Sequence, residues 1–245
     1  MLSKSKAKWI KSLQLKKYRL EEQCFIVQGR KGVAELLKSP FATHLVVGTP
    51  QALEALGAST PPLGEWIPCS EKELEQLGSF QSNDSVLAVA RMRTFQFVPA
   101  PNRFYLALDD IRDPGNLGTI IRTADWFCID QILASDTTAD FYNPKTISAT
   151  MGSFCRVQIV YGPLEHLLQE LKMPVYGALL EGETIHNVKF DKQGVVVIGN
   201  ESNGISTPIK KLITHAVHIP GRGRAESLNA AIATGIILDN VFRGR

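Results

Sequence analysis

The sequence predicts an α/β protein of two units. The larger, C-terminal unit is a parallel sheet flanked by helices, and the smaller, N-terminal unit is also α/β. Strand candidates after residue 103 are apolar throughout, which indicates burial on both faces of a sheet. Helix candidates separate them, which favours parallel strands. Pro99 and Pro101 interrupt the pattern within residues 94–103. We therefore predict a domain at 1–95, a linker at 96–103 and a second domain at 104–245.

Composition and cysteine usage limit the class of protein. The chain has 245 residues, of which 44% are hydrophobic and 21% charged, as is typical of a globular protein with a core. No window approaches eighteen consecutive apolar residues, and the N-terminus has no apolar secretory core. The four cysteines, Cys24, Cys69, Cys128 and Cys155, are far apart and form no CxxC pair. We expect a cytoplasmic protein with no metal site and no membrane association.

The charge is concentrated near the N-terminus. Residues 1–40 hold ten Lys or Arg and three Glu, a net charge of +7, so a chain of net charge +3 carries about −4 elsewhere. A basic arm on a near-neutral body is typical of a protein that binds a phosphate-bearing partner. A solvated helix face explains the same charges equally well, so the arm alone does not decide the function.

The elements of the N-terminal unit alternate along the chain. A basic amphipathic stretch covers 6–17. Strand candidates follow at 24–29, 43–48, 65–68 and 85–92, and helix candidates at 32–38, 51–56 and 71–77. This pattern predicts a compact α/β unit of about 90 residues.

The C-terminal unit repeats the alternation on a larger scale. Strand candidates lie at 104–111, 131–135, 156–160, 175–180, 195–199 and 216–220, and helix candidates at 116–128, 144–152, 163–172, 205–213 and 227–242. Ligands of such sheets bind at the carboxyl ends of the strands. Three strand ends are rich in polar residues and glycine, and these segments are the candidates for a functional site.

The first segment covers 109–127. Residues 113–116 form a turn signature, and the helix that follows places Leu117, Ile120, Ile121, Ala124 and Cys128 on one face, which should cover the sheet. Arg122 falls on the opposite side, beside Gly118, Thr119 and Trp126. A large aromatic residue seldom faces open solvent without a partner. We therefore expect a second subunit or bound substrate over this face.

The second segment, 195–206, is a buried strand followed by a polar loop. Gly199 and Gly204 permit close backbone approach or positive φ, and Ser206 or Thr207 is expected to cap the next helix. A simple connecting loop would have the same composition.

The third segment, 216–242, leads from a strand through Gly221-Arg222-Gly223 to Ser227, a candidate N-cap. The predicted buried stripe of its helix comprises Leu228, Ala231, Ile232, Gly235, Leu238 and Phe242. A dinucleotide fingerprint is excluded, because Glu226 stands at the third glycine position.

Together the three segments resemble the signature motifs of the SpoU-type, or TrmH-like, branch of the SPOUT RNA methyltransferases. The likeness covers the D-P-x-N-x-G-x-x-x-R pattern at 113–122, G-N-E-S-N-G at 199–204, and I-P with E-S-L-N within 219–229. Their order and spacing fit over roughly residues 100–245. Residues 16–29 are similar, more weakly, to the family's small RNA-binding domain, although Gln28 stands where relatives usually have Glu.

The resemblance implies a function and a set of site residues. Family members transfer a methyl group from S-adenosylmethionine to a ribose 2′-hydroxyl of ribosomal or transfer RNA. They carry a C-terminal trefoil knot, an exception among folds, and act as homodimers with each site near the subunit interface. The implied catalytic residues are Asn116, Arg122, Glu201, Ser227 and Asn229. The implied cofactor contacts are Leu179, Gly199, Asn200, Glu201, Ile219, Gly221, Ser227, Leu228 and Asn229.

The resemblance implies that Arg122 activates the ribose 2′-hydroxyl, since it matches the residue proposed for that role in the family. Because an arginine stays protonated, we expect its guanidinium to hold the phosphate beside the target ribose, while Asn116, Glu201 and Asn229 orient Arg122 and the ribose. Two alternatives stay open. One is a non-catalytic RNA-binding protein of the same fold, and the other is a base methyltransferase on the same scaffold.

Overall fold

The computed structural model describes residues 2–57, 64–78 and 85–243. Their packing divides the chain into two compact units, residues Met1–Thr94 with Tyr142–Cys155, and residues Phe95–Phe141 with Arg156–Arg245. None of the helices in the described ranges has the length and apolar character needed to cross a membrane.

The N-terminal unit is built on a mixed sheet. Its elements in chain order are α1 (Lys4–Ser12), α2 (Lys16–Glu22), β1 (Cys24–Gln28), α3 (Arg30–Leu37), β2 (Thr43–Gly48), α4 (Pro50–Gly57), β3 (Glu65–Pro68), α5 (Glu71–Leu77) and β4 (Val86–Arg91). Within the described ranges the strand order is β1-β4-β2-β3. Strand β4 is antiparallel to both β1 and β2, and β3 is parallel to β2. The small α/β unit predicted from the sequence is therefore present.

One residue of the basic arm has a structural task. Arg19 is 2% exposed, and its Nη1 donates hydrogen bonds to the carbonyl oxygens of Leu13 at 3.0 Å and Gln14 at 2.7 Å. A guanidinium committed in this way holds the turn between α1 and α2. It does not contribute to a phosphate-binding surface.

The C-terminal unit is a parallel sheet, as predicted. From residue 95 the chain runs through β5 (Phe104–Asp109), α6 (Pro114–Trp126), β6 (Gln131–Ser135), α7 (Pro144–Ala149), β7 (Gln158–Gly162), α8 (Leu164–Leu171), β8 (Val175–Thr184), β9 (Gly194–Gly199), α9 (Thr207–Lys210), β10 (His215–His218) and α10 (Ala230–Phe242). The order among the described strands is β10-β8-β9-β5-β6-β7, and every neighbouring pair is parallel. The central strands β5 and β9 are buried along almost their whole length, which explains their apolar sequences.

The segment Tyr142–Cys155, which contains α7, packs within the N-terminal unit although it lies between β6 and β7 in the chain. The ring of Tyr142 lies 4.7 Å from that of Phe25, and Phe154 lies 5.9 Å from both Phe25 and Phe41, measured between centroids. The Tyr142 hydroxyl accepts a hydrogen bond from the backbone N–H of Arg93 at 2.8 Å. This aromatic cluster ties the segment to β1 of the N-terminal sheet.

Candidate active site

The carboxyl ends of β5 and β9 meet at one edge of the sheet, where Asp109 is paired with Gly199. Asp109 is buried, and its Oδ2 accepts the backbone N–H of Ser206 at 2.6 Å. This bond fixes the end of the loop that follows β9 against the loop that follows β5. The first two motif segments are thus joined directly.

Asn116 is held in the first turn of α6. The side chain of Asp113 caps the helix by accepting the N–H of Asn116 at 2.8 Å, and Pro114 occupies the first turn, where a missing N–H costs nothing. The predicted buried face is confirmed for Leu117, Ile120, Ile121 and Ala124. Two assignments to the faces of this helix were wrong. Gly118 is buried, and Cys128 is exposed with a φ of +57° because the helix ends at Trp126.

Glu201 is presented by a tight loop after β9. The Asn200 side-chain oxygen accepts the N–H groups of Ser202 at 2.9 Å and Asn203 at 3.1 Å, while the Asn200 and Gly204 backbones exchange two hydrogen bonds. Gly204 has a φ of +67°. A Cβ at Gly199 would lie 2.3 Å from backbone atoms of Gly204 and Ile205, so that position requires glycine.

Asn229 begins α10. Its Oδ1 accepts the N–H groups of Ala231 at 3.0 Å and Ile232 at 3.3 Å. The N-cap predicted at Ser227 was therefore wrong by two residues, and helix α10 starts correspondingly later. The predicted stripe was also wrong at Leu228 and Ile232, which are 45% and 56% exposed, whereas Ala231 and Leu238 are buried. The buried face includes Thr234, Ile237 and Val241 instead.

These three elements bring Asn116, Glu201 and Asn229 into one hydrogen-bonded group. Asn116 Nδ2 donates to Glu201 Oε1 at 2.5 Å, and Asn229 Nδ2 donates to Asn116 Oδ1 at 2.9 Å. In each bond an amide nitrogen donates and a side-chain oxygen accepts, which are the roles that these atoms can take. Asn116 is separated in the sequence from Glu201 by 85 positions and from Asn229 by 113. The three side chains nevertheless form a single polar surface.

Arg122 lies outside this group. It is exposed on α6 and makes no hydrogen bond or ion pair with any residue in the described part of the chain. No hydrogen bond among the described residues joins Arg122 to Asn116, Glu201 or Asn229, so their expected role in orienting Arg122 stays a prediction. Trp126, one turn further along α6, is 83% exposed, so its side chain and that of Arg122 lie on the same exposed face of the helix.

The residues expected to contact the cofactor lie along the strand ends and the segment before α10. Leu179 and Ile219 are half-buried, whereas Gly221, Ser227 and Leu228 are exposed. Ser227 has no hydrogen bond to the Asn116 group within the described residues. A Cβ at Gly221 would meet no atom within 4 Å, so the backbone there is open to a ligand. Accessible apolar side chains and open backbone groups, both present among these residues, are what a purine nucleoside with a polar tail requires.

Sequence reasoning missed two residues that build the site, Asp109 and Asp110. Both follow the buried strand β5 directly, and this position at a strand's carboxyl end was the available signal. Asp110 has a φ of +64°, and its contacts link three strand ends.

Two family models and several known proteins match this chain. The model of the SpoU rRNA Methylase family matches residues 103–239, and that of the MRM3-like substrate binding domain matches residues 4–88. The 23S rRNA (guanosine(2553)-2′-O)-methyltransferase RlmP of Bacillus subtilis is 31% identical over 241 residues, which cover 95% of this chain and 94% of that protein.

Solved structures are similar over nearly the whole chain. A TrmH-family protein of Porphyromonas gingivalis has a TM-score of 0.88 and 34% identity, with 98% of each chain covered. The AdoMet-bound rRNA methyltransferase of Sinorhizobium meliloti has a TM-score of 0.89 and 31% identity, with 99% of this chain and 96% of that chain covered. This chain belongs to the SpoU rRNA methylase family, within the SPOUT class of folds.

Proposed function

We propose that this protein transfers the methyl group of S-adenosylmethionine to the 2′-hydroxyl of a ribose in 23S ribosomal RNA. The hydrogen-bonded group of Asn116, Glu201 and Asn229 carries the proposal, because it unites the three motif segments at one sheet edge. Membership of the family and the named activity of the Bacillus subtilis relative support the substrate.

The cofactor fits the strand ends and the segment before α10. S-adenosylmethionine supplies an electrophilic methyl group on its sulfonium. We assign its adenosine to the apolar side chains of Leu179, Ile219 and Leu228, and its polar groups to backbone atoms near Gly199 and Gly221. The neighbouring Asn200, Glu201, Ser227 and Asn229 complete the proposed cofactor-binding set.

The hydrogen-bonded group of Asn116, Glu201 and Asn229 has further donors and an acceptor that can bind a ribose. Glu201 uses Oε1 on Asn116, and no donor of the described residues reaches its Oε2. The Nδ2 groups of Asn116 and Asn229 each keep a second hydrogen. An acceptor beside two donors suits a hydroxyl, which both donates and accepts. We assign the orientation of the target ribose to these three side chains.

Arg122 supplies the positive charge. It has no partner among the described residues, so its fork of donors is free to bind the two oxygens of a phosphate. Being permanently protonated, it cannot remove the hydroxyl proton. It would polarise the 2′-hydroxyl through the neighbouring phosphate, and that phosphate or a nearby group would accept the proton.

The N-terminal domain is assigned to RNA binding. Its exposed cations include Lys4, Lys8, Lys11, Lys16 and Lys17, whose charge attracts a phosphate backbone. We further propose a homodimer, with the α6 face around Arg122 and Trp126 closed by the partner subunit or by RNA. A trefoil knot in the C-terminal unit and a cytoplasmic location, where ribosomal RNA is methylated, complete the proposal.

Methyl transfer from tritiated S-adenosylmethionine to ribosomal RNA tests the proposal. Alkaline hydrolysis of the product distinguishes ribose methylation from base methylation, because 2′-O-methylation makes the adjacent phosphodiester resistant to alkali whereas a methylated base does not. Mapping the ribose methylations lost from total RNA in a deletion strain identifies the nucleotide. Calorimetric binding of S-adenosylmethionine without any transfer to RNA would favour a non-catalytic protein instead.

A further inference from the structure

Asp110 occupies an unusual backbone position between β5 and α6. Its φ of +64° lies in the left-handed region, which aspartate enters more readily than most residues but still at some cost. A glycine would fit there without strain. The Asp110 carboxylate, however, makes hydrogen bonds that a glycine could not make.

The contacts of Asp110 reach three strand ends. Its backbone N–H donates to Ser135 Oγ, at the end of β6, at 2.9 Å. Its carbonyl oxygen and Oδ2 both accept from Asn200 Nδ2, after β9, at 2.9 and 3.2 Å. Its Oδ1 accepts from Arg112 Nε at 2.9 Å. Asp110 therefore links the carboxyl ends of β5, β6 and β9.

The bond to Asn200 selects one orientation of that amide. Two acceptors on Asp110 face Nδ2, so the Asn200 oxygen must point the other way, where it receives the N–H groups of Ser202 and Asn203. A reversed amide would set oxygen against oxygen on one side and hydrogen against hydrogen on the other. The orientation of Asn200 thus fixes the loop that contains Glu201.

The carboxylate of Asp110 is suited to this task. Burial alone would raise its pKa, but hydrogen bonds from Arg112 and Thr137 and the charge of Arg112 outweigh burial, so that the pKa lies below the ordinary value. The group is therefore an anion, and an acceptor only, at neutral pH.

We propose that Asp110 is a positioning residue for methyl transfer, which holds Asn200 in the one amide orientation that presents Glu201 to Asn116. The inference rests on the proposed function only for its effect on turnover. The change in the loop itself can be measured without any activity.

The test uses Asp110→Gly in the full-length protein. Glycine accepts the positive φ and keeps the backbone bonds to Ser135 and Asn200, so the substitution removes the carboxylate alone. Arg112→Gln is the matched control, since it removes the ion pair and leaves the Asp110 carboxylate and its bond to Asn200 in place. Both variants are assayed for turnover, for melting temperature, and for hydrogen exchange at the Ser202 and Asn203 amides.

Asp110→Gly leaves the neutral carbonyl acceptor of Asn200 Nδ2 and removes the charged one, and hydrogen bonds to a charged acceptor are roughly twice as strong as neutral ones. We therefore expect this variant to speed exchange at the two amides about tenfold and to lower kcat by about tenfold or more, with little change in melting temperature. Adding Asp110→Gly to Asn200→Ala should lower kcat no further, because both substitutions release the same loop. The control should match the wild type in exchange.

Unchanged exchange at Ser202 and Asn203 in Asp110→Gly overturns the proposal, and so do additive losses in the double variant. If the wild-type protein methylates no ribosomal RNA, the proposed function fails, whereas faster amide exchange would still support the positioning of Asn200 by Asp110.

Discussion

Replacing Asn229 separates its two roles. In Asn229→Ala, two N–H groups of α10 lose their acceptor, a loss of about 1 kcal/mol for a helix cap. The bond to Asn116 is also lost, which is worth about 1 kcal/mol for a neutral pair. Together roughly 2 kcal/mol should lower the melting temperature by about 4–8 °C in a chain of this size.

Asn229→Asp keeps the cap and removes the donor. A carboxylate accepts the same two N–H groups, and its charge at a helix N-terminus stabilises by about 0.3–1 kcal/mol. This gain offsets most of the roughly 1 kcal/mol lost with the Asn116 bond, so we expect stability near that of the wild type. It cannot donate to Asn116 Oδ1. If the Asn116 amide turned to compensate, its oxygen would face the Glu201 carboxylate. We therefore expect kcat to fall about tenfold or more, as the ribose loses its alignment.

Thermal unfolding and tritium transfer measure the two effects independently. Ser206→Ala is the control for stability, because the Ser206 side chain caps no N–H at the start of α9. An Asn229→Ala variant that unfolds at the wild-type temperature would contradict the capping role, and an Asn229→Asp variant that methylates RNA at the wild-type rate would contradict the role of the bond to Asn116.

The other predictions concern four positions. Arg122→Ala should abolish methylation while calorimetry finds S-adenosylmethionine binding largely intact; a near-normal rate would contradict the phosphate-binding role. Gly199→Ala should weaken cofactor binding at least tenfold, because its Cβ would lie 2.3 Å from backbone atoms of the loop; equal affinity in calorimetry would disprove this. Arg19→Ala should lower the free energy of unfolding measured in urea by about 2 kcal/mol, since the carbonyl groups of Leu13 and Gln14 lose their donor. An unchanged urea midpoint would argue against a stabilising role for these two hydrogen bonds. Trp126 fluorescence should respond to dimerisation or to RNA, and a monomer whose emission RNA leaves unchanged would rule out a covered α6 face.

The sheet of the C-terminal unit was predictable from local sequence. Strands such as β5 and β9 are apolar along their length because both faces are covered, and the polar residues that build the site follow them directly. The strand ends pointed to the segments that contain Asn116 and Glu201, whereas the resemblance to the family singled out these two residues within them. The resemblance to a family supplied the reaction, which periodicity alone could not.

The remaining features depend on contacts that local patterns do not contain. Ser227 and Asn229 are equally good caps by residue type, and only Asn229 also reaches Asn116. Helical periodicity continues through Cys128, although the chain leaves the helix at Trp126. Arg19 resembles its lysine neighbours in sequence, yet its guanidinium binds carbonyl groups of the preceding turn.

The aromatic cluster of the N-terminal unit bears on the order in which the chain acquires structure during synthesis. Phe25 emerges from the ribosome well before Tyr142 and Phe154, the rings it packs against. In a nascent chain that ends near residue 95, the aromatic side chains that normally pack against residues 142–155 are therefore uncovered. Exposed apolar surface of this kind makes incompletely synthesised domains prone to misassembly. The product of a gene fragment that ends at the linker would expose the same aromatic surface. Transplanting the N-terminal unit onto another protein would require residues 142–155 to be carried with it.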